Sequence, residues 1–286
     1  STNPSAYYDR TVLATLFQDS AGTTPATAGS QPIGLGLDQS QGLELGPEIS
    51  PNPGGPFTST TGWVAGNAAA LSVVSNSLRA THAGGDYPIG SIGISTTAGK
   101  TYAIQYRLKG ITAPGGAAIR AYDGYFGGGG SQLTDAGYKT TSGTYSVVFR
   151  AISSAANIWL IVNTTTAGQY GEAEIISVKL LPGNHQSQAD AGKRPLTAGT
   201  PIYANFDAVD DDLVANFPAS LGAGCTVCRS LPGTGASITT GVTLTATYTD
   251  NVDAHALLIY TAAQWAALDA GQIANITTWL NGRAGL

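Results

Sequence analysis

The chain is poor in charge. Asp, Glu, Lys and Arg make up 11% of its residues, against about a quarter in an ordinary soluble domain. Glutamate is reduced to Glu44, Glu48, Glu172 and Glu174. Thirteen Lys and Arg, scattered along a chain of net charge −5, build no basic patch that would neutralise phosphates, so nucleic acid is not expected as a partner. No apolar run approaches the roughly 20 residues that span a bilayer, and membrane insertion is not expected. The opening STNPSAYYDR has neither the basic nor the apolar region of a secretion signal, so export by that route is not expected either.

Residues that carry chemistry are equally scarce. The two cysteines, Cys225 and Cys228, lie in GCTVCRS, whose neighbours read as a strand. Positions three apart on a strand face opposite ways and cannot be bridged. His82, His185 and His255 stand in unrelated segments, so a zinc set is not completed. Two unpaired thiols in or near a core are the expected outcome. A glycosidase needs two carboxylates at a set separation across a cleft, one of them with a raised pKa, and none of the four glutamates sits in an aromatic-rich loop. The GxSxG elbow of a serine hydrolase is missing. No enzymatic activity is expected, with polysaccharide depolymerisation the least favoured alternative.

What is present is apolar, glycine-rich and β-patterned. A hydrophobic content of 42% is enough to offset the entropy of ordering, and 286 residues suffice for two cores. In TYAIQYRLK, residues 101–109, Tyr102, Ile104, Tyr106 and Leu108 share one face and Ala103, Gln105, Arg107 and Lys109 the other, the mark of a half-buried antiparallel strand. Similar runs occupy 70–74 and 78–82, joined through SNS, then 117–122, 144–152, 157–163 and 173–181. Residues 57–181 therefore read as a β-sandwich of about eight strands. Trp63 and Trp159 are expected in its core.

Strand signals resume beyond residue 200 in PIYANF, DLVANF, CTVCRSL, VTLTATYT and HALLIYT. The period then changes. Thr261 followed by Gln264 forms a capping box, and Ile273, Ile276, Trp279 and Leu280 make a helical stripe, so one broken helix or two short ones close the chain. The first 46 residues hold too few strands for a core of their own and require a partner, which the C-terminal strands supply. That makes the middle sandwich a domain inserted in a loop of the outer one.

Two segments invite a functional reading. FDAVDDDLVANF, residues 206–217, gathers Asp207, Asp210, Asp211 and Asp212. Ca²⁺ is the one cation such a run suits, but the EF-hand pattern is lacking and neighbouring acids on an extended run diverge. The favoured reading is a turn with solvated carboxylates, anchored by Phe206, Val209, Leu213 and Phe217, and no cofactor is expected. The loop RAYDGYFGGGGSQ, residues 120–132, offers Tyr122, Asp123, Tyr125, Phe126 and Gln132. Flat aromatic faces with amide or carboxylate groups beside them are what a sugar ring requires. The same residues suit an Ω-loop with one aromatic tucked into the core, or a subunit contact.

YYDRTVLATLFQDSAGTTPATAGSQPIGLGLDQSQG, GNHQSQADAGKRP, FDAVDDDL, FPASLGAGCTVCRSLPGTGAS and HALLIYTAAQWAALDAGQIANITTWLNGRAG resemble a family of phage and prophage virion proteins of tail fibres and other appendages. Its members carry a laminin-G or concanavalin A-like jelly roll in which an Asp-x-Ser-Gly phrase runs straight into Gly-Asn-His and Arg-Pro. Here that phrase is cut between Gly42 and Gly183. The insert is similar to carbohydrate-binding-module jelly rolls that begin with Phe, a short spacer and Gly-Trp, as do Phe57, Gly62 and Trp63. Ala208 replaces the glycine of the family's Phe-Asp-Gly-Val-Asp-Asp, which makes positive φ there less expected.

The resemblance implies a mainly β protein of two β-sandwich (jelly-roll) domains, residues 1–42 with 183–286 and the inserted 43–182, ending in a short helical segment. It implies a structural protein of the virion, made in the host bacterial cytoplasm, in a tail fibre, collar or capsid decoration. Its partners would be other virion proteins and host-surface polysaccharide. A homo-oligomer is implied as well, although no heptads or fibre repeats support it. A purely structural role, binding only other virion subunits, is the alternative.

Overall fold

The computed structural model describes residues 3–43, 45–50, 57–67, 69–124, 130–134 and 137–286. The chain forms two compact units, Ser1–Glu44 with Pro182–Leu286, and Leu45–Leu181. The first unit opens with β1 (Ala6–Asp9), β2 (Leu16–Phe17) and β3 (Leu35–Gly36). The second unit contains β4 (Val64–Gly66), β5 (Ala69–Val74), β6 (Ser77–His82), β7 (Ile89–Ser95), β8 (Thr101–Ile111), β9 (Ala117–Tyr122), β10 (Gly143–Arg150), β11 (Ala155–Val162) and β12 (Tyr170–Leu181). The first resumes with β13 (Gln186–Ser187), β14 (Leu196–Ala198), β15 (Tyr203–Asn205), β16 (Leu213–Asn216), β17 (Gly222–Leu231), β18 (Gly235–Leu244), β19 (Thr247–Asp250) and β20 (Ala256–Tyr260), then α1 (Ala262–Ala266) and α2 (Ala270–Arg283). The protein is mainly β, with two short C-terminal helices.

In the first unit one sheet runs β1-β20-β17-β18 and another β19-β16-β13-β3-β2. Tyr8, Phe217, Cys225, Val227, Tyr248, Leu257 and Ile259 meet in a core drawn from both. Ala256, Leu258 and Tyr260 point the other way, onto Leu280, Ile276 and Trp279 of α2. Both faces of β20 are thus covered, which is why ALLIY is apolar without alternation and buried throughout. Capping boxes start both helices, Thr261 with Gln264 and Asp269 with Gln272, each satisfying two backbone donors that a helix start leaves unpaired.

Cys225 and Cys228 are free and buried. They fall in different clusters, Cys225 inside the sandwich and Cys228 beneath α2, as the strand period requires. Beside them lies a buried polar group. Arg10 and Asp250 form an ion pair, both essentially unexposed. Arg10 also donates to Gln186 Oε1 at 2.9 Å and lies over the Phe206 ring, so the desolvated charge is met by hydrogen bonds as well as by its counter-ion.

The second unit pairs β10-β8-β12-β6-β5 in one sheet and β4-β7-β11-β9 in the other. Tyr102, Ile104, Tyr106 and Leu108 of β8 are buried, and β8 lies between β10 and β12. Ser75 and Asn76, both at positive φ, turn β5 into β6, as a two-residue hairpin requires. Among the described residues nine strands are present where about eight were expected. Neither β4 nor β7 stands out in the sequence: β4 is three residues long, and in β7 Gly90 and Gly93 break the apolar alternation of IGSIGIS. Gly90 has a packing reason, since a Cβ there would come within 3.0 Å of Leu78 and 3.1 Å of Leu71.

Two expectations at residues 206–217 are corrected. Phe206, Leu213 and Phe217 are buried, but Val209 is 84% exposed: it sits at the tip of a turn and anchors nothing. Ala208 adopts φ 61° despite its side chain, because the neighbouring aspartates hold the turn closed.

Candidate functional site

The two sheets of the second unit differ on their outer faces. On β8, β6 and β12 the outward face carries ion pairs, Glu174 with Lys109 at 3.1 Å and Arg107 at 3.4 Å, and Glu172 with Arg79, whose guanidinium also lies 4.0 Å over the Tyr170 ring. On the other sheet the outward positions carry an aromatic cluster instead. The period of two puts Asn157, Trp159 and Ile161 of β11 on that face. Trp159 pairs across to Arg120 of β9 and Ser91 of β7, and Ile161 to Ile89.

Tyr122, the last residue of β9, stacks on the Trp159 indole, with centroids 3.8 Å apart and planes at 17°. Tyr122 and Tyr138 together cover Ile89, Trp159 and Ile161. The Arg120 guanidinium lies 4.6 Å above the Tyr138 ring. Burial pushes the Tyr138 phenol above its ordinary pKa; Arg120 pulls it down, and the neighbouring phenols of Tyr122 and Tyr87 raise it. Tyr87 stands two residues before Ile89, a member of the cluster that Tyr122 and Tyr138 cover, so the three tyrosines follow one side of the unit.

The expected ligand-binding residues divide on inspection. Gln132 is exposed, and its Oε1 accepts from Tyr122 Oη at 3.1 Å and Arg120 Nη1 at 3.0 Å, so Gln132, Tyr122 and Arg120 form one polar rim above the stacked rings. Asp123 is spent on its own loop: its carboxylate accepts from the Ser131 N–H, and its N–H donates to Ser131 O at 3.1 Å. It closes the loop and offers less to a ligand. Tyr125 and Phe126 lie outside the described residues. Arg120, Tyr138 and Trp159 belong to the site but were not expected in it. The sequence signal for Arg120 was strand period, which puts it on the Tyr122 face; Trp159 is placed opposite Arg120 by the pairing of β11 with β9.

The aspartate run also rearranges. Asp207, Asp210 and Asp211 bring carboxylate oxygens within 4.8 Å of one another, where divergence was expected of an extended run. The reason is local. Asp207 Oδ1 accepts from the N–H groups of Val209, Asp210 and Asp211, and Asp211 Oδ2 accepts from the Asp207 N–H. The Val209 N–H, above all, holds the Asp207 carboxyl below its usual range, while desolvation and the flanking acids raise that of Asp211. The gathering is what this turn needs to close.

No family model matches the chain, and no curated protein matches it. Among solved structures, the chain is similar at 12% identity to the N-terminal CBM22-1–CBM22-2 tandem domain of Xyn10C from Paenibacillus barcinonensis. That match covers 82% of this chain and 88% of the other, at a TM-score of 0.35. It is similar at 8% identity to the Spr0440 glycoside hydrolase domain, Endo-D, from Streptococcus pneumoniae R6, over 70% of this chain and 37% of that one, at a TM-score of 0.24. Similarity at this level assigns neither a family nor a ligand.

Proposed function

We propose that the second unit is a glycan-binding β-sandwich within a structural protein of a phage virion, serving attachment to host-surface polysaccharide. The observation that carries the binding part is the asymmetry of its two outer faces. One is closed by ion pairs; the other presents Tyr122 stacked on Trp159 beside Tyr138, with the Gln132 amide and Arg120 at the rim. Aromatic area flanked by a few oriented polar groups suits a sugar, whose ring has an apolar face and a girdle of hydroxyls.

Attachment without catalysis is the reading that Glu48, Glu172 and Glu174 support. Glu48 Oε1 accepts from the Ser50 and Val178 N–H groups, Glu172 is held by Arg79, and Glu174 by Arg107 and Lys109. Each is committed to holding strands together. The placement in a tail fibre, collar or capsid decoration rests on the resemblance of the outer segments to phage appendage proteins. Many copies on one particle would make weak single sites sufficient through avidity.

A glycan array probed with the wild-type chain and with Tyr122→Ala and Gln132→Ala tests the binding. The expected result is specific signal that both variants lose; folded variants that bind like wild type would overturn the reading. Mass spectrometry of purified particles tests the virion assignment, which fails if the chain is missing from them.

A further inference from the structure

A cavity lies in the same unit, apart from the stacked rings. Tyr87, Asn163, Thr164, Thr165, Thr166 and Gln169 line a cavity of about 330 Å³, within the about 300–1,000 Å³ usual for small-molecule sites. With Pro114 and Gly115, the lining is one aromatic ring, two amides and three hydroxyls, and among the described residues no Asp, Glu, Lys or Arg joins it.

The wall is built before any ligand arrives. Thr164 donates its hydroxyl to Gln169 Oε1 and accepts the Thr166 N–H at 3.1 Å. The Gln169 amide oxygen is thereby fixed by the protein, and its NH₂ end remains for a hydroxyl acceptor. Asn163 is pressed against the backbone at Gly115, where a Cβ would come within 2.7 Å of Asn163 Nδ2. Tyr87, 44% exposed, stands at the rim as a flat apolar surface.

We infer that this cavity is a subsite for a neutral, hydroxyl-rich sugar unit, and that the glycan bound by this unit is a neutral oligosaccharide reaching from Tyr122 past Tyr138 to Tyr87. The inference rests on the reading of this unit as glycan-binding and adds the ligand's charge class and its extent. A uronic or sialic acid placed here would lose carboxylate hydration with no cation to replace it, whereas sugar hydroxyls meet amides and hydroxyls. The cations on neighbouring segments are engaged elsewhere: Arg120 by Gln132 and the Tyr138 ring, Arg79 by Glu172 and the Tyr170 ring, and Lys139 over the Tyr145 ring at 5.6 Å.

Immobilised tetrasaccharides of neutral hexoses and of uronic acids, probed with wild type, Tyr122→Ala, Tyr87→Ala and the double variant Thr165→Val/Thr166→Val, form the test. These pocket residues are exposed, so folding should be unaffected, and thermal melts check it. Wild type is expected to prefer the neutral set, and each pocket variant to lose at least tenfold in binding. Pocket variants that bind like wild type while Tyr122→Ala does not overturn this subsite and leave the proposed function standing. Loss through the pocket variants alone keeps the subsite and removes Tyr122 from the site. Preference for the uronic acid set overturns the charge class, and a wild type that binds no glycan overturns both readings.

Discussion

Asp38 and Asn184, separated by 146 positions, are joined by a hydrogen bond of 2.7 Å from the Asn184 N–H to Asp38 Oδ2. The other carboxylate oxygen accepts from the N–H groups of Tyr7 and Ser40, each at 2.8 Å, and the Asp38 N–H donates to His185 Nδ1 at 2.9 Å. Asp38 is fully buried. One side chain thus ties β1 to both segments of the first unit that flank the inserted residues.

Replacing Asp38 by Ala strands three backbone donors at once. Hydrogen bonds to a charged group contribute about 1.5–3 kcal/mol each, so Asp38→Ala should cost roughly 3–4 kcal/mol even if water recovers some of them. Asn in its place retains one acceptor oxygen and should recover part of the loss. Hydrogen exchange gives a local readout: protection should fall in β1, β3 and β20 and stay unchanged in β8 and β12. Equal loss in both units would contradict this account of Asp38.

The Arg10–Asp250 pair makes a second prediction. Asp250→Ala leaves Arg10 buried without its counter-ion, which typically costs about 3–5 kcal/mol. Arg10→Met should cost less, because Arg229 still reaches Asp250 at 3.3 Å. A double-mutant cycle by urea denaturation should show strong coupling, the double variant being more stable than the sum of the single losses implies.

These two groups mark the limit of what the sequence reveals. The strands of β5, β6, β8, β9, β10, β11 and β12 are legible because alternation is the direct imprint of one buried face. β7 is not, since a glycine that packs by having no side chain leaves no pattern, and β4, three residues long, is too short to show alternation. In the candidate site, Tyr122 and Gln132 are legible as residue types in a loop, whereas Arg120 looks like any outward strand charge and Trp159 like core. Trp159 is in fact buried, but on the outer face and beneath Tyr122, a distinction that only the pairing of β11 with β9 reveals. Asp38, Arg10 and Asp250 carry no local pattern, because their partners lie far away in the chain.

Ala208 offers a gain of stability. A non-glycine residue in the left-handed region costs about 1–2 kcal/mol, and glycine loses about 0.5–1 kcal/mol to its greater freedom when unfolded. Ala208→Gly should therefore stabilise the first unit by about 0.5–1 kcal/mol, read as a higher midpoint in urea at unchanged slope. A lower midpoint would mean that the turn relaxes away from φ 61° in solution.

Cys228 links burial to pH. Desolvation beneath α2 pushes its thiol up to about 12 from 9.0, against the lowering pull of Arg229. In the unfolded chain the thiol ionises near its ordinary value. Between those limits the unfolded state binds fewer protons than the folded one, so stability is unaffected below about pH 9 and falls as pH rises towards 12. Tyr260, packed in the same cluster and pushed by burial to about 12, acts in the same direction above its own unfolded value. Cys228→Ala should flatten the fall in urea midpoint between pH 8 and pH 10. A thiolate-directed disulfide reagent at pH 8 should find no reactive thiol in the native protein and two after denaturation. Rapid reaction of a thiol in the native state that Cys228→Ala abolishes would show that α2 lifts from the sheet far more readily than its packing on Leu258 and Tyr260 implies.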